Sequence, residues 1–252
     1  MTQESAEKAG ARGRVLVFGV AAALCVVLAG AAGWLLGHGA SPARKAPDVL
    51  FDAPRFDGLI NQNGVKVSSQ QLLGKVQVVT FLFPYCNTFC PVVAAHLIGF
   101  ENTLAASGLA DRVGVVAFDV DPGGTGPKQM RGFLREYGWN PADPHWQYLT
   151  GTPAQIRRVV TGGYHVDYQK VMDTGSGDAQ PSPALAVAGS DPQPIVANPL
   201  ADKAHVDYDI THEDVMMVVD PQGRVRRIYN QADAVGTSEL LREVRRALGS
   251  QG

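Results

Sequence analysis

The stretch "KVQVVTFLFPYCNTFCPVVAAHLIGFENTLAA", residues 75–106, changes its period halfway, and that change decides the fold. Over 75–83, β-branched and aromatic residues follow one another with little polar alternation, the pattern of a strand covered on both faces. From Pro91 to about Ala106, Val92, Ala95, Leu97, Phe100 and Leu104 recur at helical spacing, and Pro91 suits a first helical turn. Cys86 and Cys90 therefore sit at a strand-to-helix junction.

Outward from this junction the alternation continues. "RVGVVAFDV", 112–120, reads as a second buried strand, and "PKQMRGFLREYG", 127–138, as a helix stopped by Gly138. "HWQYLTG" follows as a short strand, with a helix at 153–161. "DVMMVVDPQGRVRRIYN", 214–230, is two strand runs joined by Asp220, Pro221, Gln222 and Gly223, a hairpin signal. "TSELLREVRRALG" closes the pattern as an amphipathic helix, with Thr237 or Ser238 as the expected cap. Strands alternating with helices predict an α/β domain with a parallel or mixed sheet covered on both faces. Residues 172–204, "MDTGSGDAQPSPALAVAGSDPQPIVANPLADKA", lack a sustained period and read as a long insertion.

Composition sets the outer bounds. The chain has 252 residues, 45% of them hydrophobic, enough for one sizeable core. A net charge of -2 gives no reason to expect a nucleic-acid partner. Three cysteines are too few for a disulfide-stapled scaffold. "VLVFGVAAALCVVLAGAAGWLLG", residues 15–37, carries no charged side chain and is long enough, at about 1.5 Å per residue, to span a hydrocarbon core. It is expected to be a single transmembrane helix containing Cys25, with residues 1–14 as a cytoplasmic tail and 38–50 as a linker. The domain, 51–252, would then lie outside the cytoplasm, on the periplasmic or outer face of the cell membrane.

The chemistry concentrates on few residues. At helical i, i+4 spacing Cys86 and Cys90 would share one face, close enough to oxidise or to chelate one ion. A helix N-terminus stabilises thiolate, the form that attacks disulfides and binds metal. A buried pair or a plain disulfide is the bland alternative, and spacing alone does not choose. A three-residue gap differs from both the CxxC redox motif and paired CxxC zinc ligands, and no second pair exists to complete a structural zinc site. Six histidines are available as a third ligand: His38, His96, His145, His165, His205 and His212. His212 is best placed, just ahead of the late hairpin, with Glu213 and Asp214 as neighbours able to orient an imidazole.

"FLFPYCNTFCP", "VVAFDVDP" and "THEDVMMVVDPQGRV", in that order and spacing, resemble the Sco/SenC family of membrane-anchored copper proteins. The resemblance implies a thioredoxin-like three-layer fold with a central mixed sheet, over roughly residues 50–250 apart from the insertion. It implies that Cys86, Cys90 and His212 bind copper, as Cu(I) or Cu(II). It further implies an upstream copper donor and delivery to the binuclear copper centre of cytochrome c oxidase subunit II. The rival reading is an extracytoplasmic thiol-disulfide oxidoreductase, in which Cys86 and Cys90 are catalytic and no histidine is needed. Two departures stand out: Asn87 occupies a position where the family often has proline, and "DPGGTGP", 121–127, replaces the usual "DPxxDTP". Asp119 and Asp121 either position the site or serve as turn formers.

Overall fold

The computed structural model describes residues 48–86, 88–172 and 208–249. The expected tail, the membrane helix with Cys25, residues 38–47 of the linker, the insertion beyond Met172, and His38, His205 and Asn87 lie outside the described residues. Among the described residues no helix is long and apolar enough to cross a membrane.

Eight strands form one mixed sheet. In chain order they are β1 (Phe51–Asp52), β2 (Leu59–Asn61), β3 (Lys66–Val67), β4 (Val76–Leu82), β5 (Val113–Asp119) and β6 (Trp146–Thr150). A separate two-stranded ribbon pairs β7 (Tyr168–Met172) with β8 (Tyr208–His212), and the late hairpin supplies β9 (Met216–Val219) and β10 (Arg224–Tyr229). The order across the large sheet is β1-β10-β9-β4-β5-β6-β2-β3. β4, β5 and β6 run parallel, and β9 runs antiparallel beside β4. The helices are α1 (Cys90–Ala106), α2 (Pro127–Glu136), α3 (Pro153–Val159) and α4 (Thr237–Gly249).

Every residue of β4 and β5 is buried, as their unbroken apolar runs require. The parallel register sets Phe81 beside Phe118, and Thr80 beside Ala117. Phe81 and Phe118 face the rings of Tyr164 and Phe56, delivered by the π-helical turn Val160–Tyr164 after α3 and by the segment ahead of β2. Tyr148, in register with Ala117, points to the opposite face and packs near Phe133 of α2. Layers on both faces exclude water from the central strands, which is where the core gains most of its stability.

Sequence periodicity located these central elements well and missed finer points. The inward stripe of α1 is Cys90, Val93, Ala94, Leu97, Phe100 and Leu104, so Val92 and Ala95 are only partly buried. The first turns of α1 are apolar all round and carry no phase of their own; burial of Cys90 sets it. α4 begins one residue earlier than its expected caps allow, because the Gly236 carbonyl accepts the first helical bond, from the Leu240 N-H at 3.1 Å. Strands β1, β2, β3, β7 and β8 are short and were not anticipated. Gly138 does end α2, with φ +81.

Leu97 is fully buried where α1 meets the core. Leu97→Ala is expected to lower unfolding stability by about 2–5 kcal/mol, read from the denaturant midpoint, whereas exposed Asn102→Ala should stay within about 0.5 kcal/mol. Equal effects would contradict this packing.

Candidate metal centre

The site lies beyond the carboxyl ends of β4 and β5, the edge where open α/β sheets place ligands. The chain leaves β4 through a tight turn closed by the Cys86 N-H donating to the Phe83 carbonyl at 3.0 Å. Phe89 then caps α1 through its backbone, its carbonyl accepting the Val93 N-H at 2.9 Å, with no side chain closing the helix end. Only Cys90 belongs to the helix. Cys86 lies in the turn before it, so the two thiols meet across a loop-helix junction and not as i, i+4 neighbours on one helical face.

Both cysteines are buried and carry thiols that are not joined in a disulfide. Their protons are held unequally. The Cys90 side chain hydrogen-bonds to Cys86 and is the main reason that the Cys86 pKa falls to about 7, against the opposing effect of burial. The Thr88 hydroxyl, 3.2 Å from the Cys86 sulfur, and the backbone at Thr88 and Cys90 add to that stabilisation. Cys90 moves the other way: complete burial, then the neighbouring Cys86, raise its pKa well above the ordinary thiol value. Of the pair, Cys86 is thus the first to ionise, losing its proton around neutral pH, while Cys90 holds its own.

His212 closes the group from the far side of the chain. It is the last residue of β8, and its Nε2 stands 3.8 Å from the Cys90 sulfur. Its Nδ1 lies 3.0 Å from the Glu213 carbonyl, which can only accept, so Nδ1 carries the proton and Nε2 keeps its lone pair. Burial pulls the His212 pKa down to about 4, so the ring is neutral at physiological pH. Phe89 supports it edge-on at 4.7 Å between ring centroids. The main chain of Glu213 thus orients the imidazole. The Asp214 carboxyl turns elsewhere, to the Asp233 N-H at 3.1 Å.

A metal about 2.3 Å from sulfur and about 2.0 Å from nitrogen holds those atoms about 3.5–3.7 Å apart, so the Cys90–His212 separation suits a shared ion. No group of three or more His, Cys, Asp or Glu side chains among the described residues stands at chelating distance as it is. Cys86 meets Cys90, and Cys90 meets His212, so Cys90 is the residue common to both contacts. The chemistry of the donors fits a soft cation: two sulfurs, one of them readily ionised, and one neutral imidazole.

The loop after β5 lies beside this group, its Val120 N-H donating to the Leu82 carbonyl at 3.1 Å. Asp119 is fully buried and accepts from the hydroxyls of Thr125 at 2.7 Å and Thr150 at 2.9 Å. Burial still pushes its pKa up to about 6. Thr125 stands where the resemblance led one to expect an acid, and its hydroxyl donates where a second carboxylate would repel. Asp121 accepts a 2.6 Å hydrogen bond from the Tyr208 hydroxyl. Tyr208 escaped the sequence reading, although Tyr208, Ile210 and His212 follow the period-two pattern of a strand. The other described histidines serve elsewhere: His145 pairs with Asp143 and Asp111, His165 packs on Phe51, and His96 lies within α1.

Comparison with known proteins gives this geometry a setting. The chain is 24% identical over 188 residues to the SCO1 protein homolog of Bacillus subtilis, covering 74% of this chain and 78% of that protein. Its fold is similar to that of BsSco, described as a member of the Sco family of cytochrome c oxidase assembly proteins with a disulfide switch. There the TM-score is 0.58, the identity 23%, and the match covers 83% of this chain and 100% of the other. It is also similar to Arabidopsis thaliana ScoI solved with copper bound, with TM-score 0.56, 22% identity, and 79% and 98% of the two chains covered. At these identities the structural likeness is one of fold, a mixed α/β, thioredoxin-like architecture. The family model SCO1/SenC matches residues 53–196, more than half of the chain and including both cysteines though not His212, and the chain belongs to that family.

Proposed function

We propose that this protein binds one copper ion through Cys86, Cys90 and His212 and delivers it to the binuclear copper centre of cytochrome c oxidase subunit II. The observation that carries this reading is the Cys90–His212 contact at 3.8 Å, made across 122 residues of sequence by an imidazole whose other nitrogen is already spoken for. A buried disulfide or a redox pair needs no such partner. Sulfur donors favour Cu(I), and the imidazole adds a donor acceptable to Cu(II). Three protein ligands leave a coordination position for an incoming protein thiol, which must reach the buried sulfurs for transfer by ligand exchange. Relatives named for copper and for oxidase assembly support the same reading.

The proposal extends to setting. An upstream protein supplies the copper, and residues 15–37 anchor the domain as a single span with the N-terminus cytoplasmic and the domain on the other side.

A second reading is favoured by the setting of Cys86, whose sulfur lies 3.2 Å from the Thr88 hydroxyl and beside Cys90, contacts that favour its thiolate. As a thiol-disulfide oxidoreductase, the Cys86 thiolate attacks a client disulfide and releases one client thiol. Cys90 then attacks the mixed disulfide, releasing the second thiol and leaving a Cys86–Cys90 disulfide, so that two electrons pass to the client. The two readings are compatible, because a recipient's cysteines must be reduced before they take copper.

Anaerobic titration of the detergent-solubilised full chain with Cu(I) and Cu(II) should give one copper per chain. Cys86→Ser, Cys90→Ser and His212→Ala should each weaken binding by about tenfold or more, and unchanged binding in His212→Ala would remove it from the ligand set. A separate measurement addresses the thiolate. The alkylation rate of metal-free protein should fall as pH drops through about 7, the pKa of Cys86, and Thr88→Ala should move that midpoint upward. A midpoint at the ordinary thiol value would contradict the one-proton description of the pair.

A further inference from the structure

His212 rides on the β7–β8 ribbon, which is hydrogen-bonded to no strand of the main sheet. Isolated two-stranded ribbons are marginal in water. Its strands, Tyr168–Met172 and Tyr208–His212, are far apart in sequence. The structure offers a contact at the opposite end of β8 from His212.

Tyr208, Ile210 and His212 lie on the inward face of β8. Tyr208 donates its hydroxyl proton to Asp121 Oδ2 at 2.6 Å, on the loop after β5. Its ring packs 6.0 Å from Phe83, in the turn that leads to Cys86, and Lys170 of β7 sets its Nζ 3.2 Å from the ring centroid on the other strand. Gly124 completes the fit: a Cβ there would come within 2.1 Å of the Tyr208 hydroxyl oxygen and 2.2 Å of Asp121 Oδ2. A side chain there would push one or both oxygens out of their present positions. This bond and the Cys90–His212 contact both join the ribbon to the loops around the thiols.

We propose that Tyr208, Asp121 and Gly124 form a latch that fixes the β7–β8 ribbon, and through it the His212 imidazole, against the cysteine turn. Tyr208 is then a positioning residue, acting through His212 without touching the ion. The ligand role of His212 rests on the copper reading above; the latch itself does not. A hydrogen bond to a carboxylate is worth enough to change the population of the docked ribbon by about tenfold.

The test uses the full chain in detergent, with Tyr208→Phe, Gly124→Ala and Asp121→Asn. In metal-free protein, Tyr208→Phe should speed amide hydrogen exchange over Tyr208–His212 about tenfold while α1 and β4 keep their wild-type protection. Loaded with Cu(II), the same variant should lose copper to a chelator about tenfold faster and show weakened imidazole-nitrogen coupling in its electron paramagnetic resonance spectrum. Gly124→Ala should reproduce both effects, and Asp121→Asn, which keeps an acceptor oxygen but loses the charge, should fall between wild type and Tyr208→Phe. Wild-type exchange in β8 of Tyr208→Phe, loss of protection throughout the domain, unchanged nitrogen coupling, or an Asp121→Asn as impaired as Tyr208→Phe would each overturn the latch. A wild-type chain that took no copper would sink the metal reading instead, and the exchange result would still decide the latch.

Discussion

The Nδ1-H of His212 points at the Glu213 carbonyl, and the chemistry open to the site follows from that bond. It fixes the tautomer, so that the lone pair of Nε2 faces Cys90. Burial keeps the ring neutral, so no proton competes for that lone pair at ordinary pH. Without the bond the ring would be an apolar-packed histidine beside two thiols. With it, the three side chains are a set of soft and borderline donors awaiting a cation.

The thiols show a complementary division of labour. Cys86 sits in a turn, within reach of a hydroxyl and of backbone at a helix end without a side-chain cap, and it is the thiol that ionises first. Cys90 sits inside the helix and the core, where ionisation is costly, and it keeps its proton. Uptake of a metal by both sulfurs must release that proton, so binding becomes steadily more favourable as pH rises. The same asymmetry equips the pair for disulfide exchange. One arrangement thus serves both proposed activities, with the histidine as the element that only the metal chemistry requires.

The sequence was most informative where burial is two-sided and periods are long. β4, α1 and β5 could be drawn from residues 75–120 because continuous apolar runs and helical spacing leave one physical solution for each. The late hairpin was equally clear from Asp220 to Gly223. What escaped was set by distant contacts. β7 and β8 are short strands separated by residues 173–207, and local pattern does not pair segments so far apart. Asp119 and Asp121 read equally as site residues or as turn formers, because only Thr125 of their partners lies in the same loop; Thr150 and Tyr208 come from other elements. Likewise Glu213 and Asp214 drew attention for their carboxylates, whereas the working group is the Glu213 carbonyl, which every residue possesses.

The claim that two sulfurs and one imidazole nitrogen share a copper ion is tested most directly by X-ray absorption of the Cu(I)-loaded full chain. The account predicts a first shell of two sulfurs and one nitrogen in the wild type, and loss of the nitrogen, with both sulfurs retained, in His212→Ala. A wild-type shell containing sulfur alone, or a nitrogen that persists in His212→Ala, would contradict it.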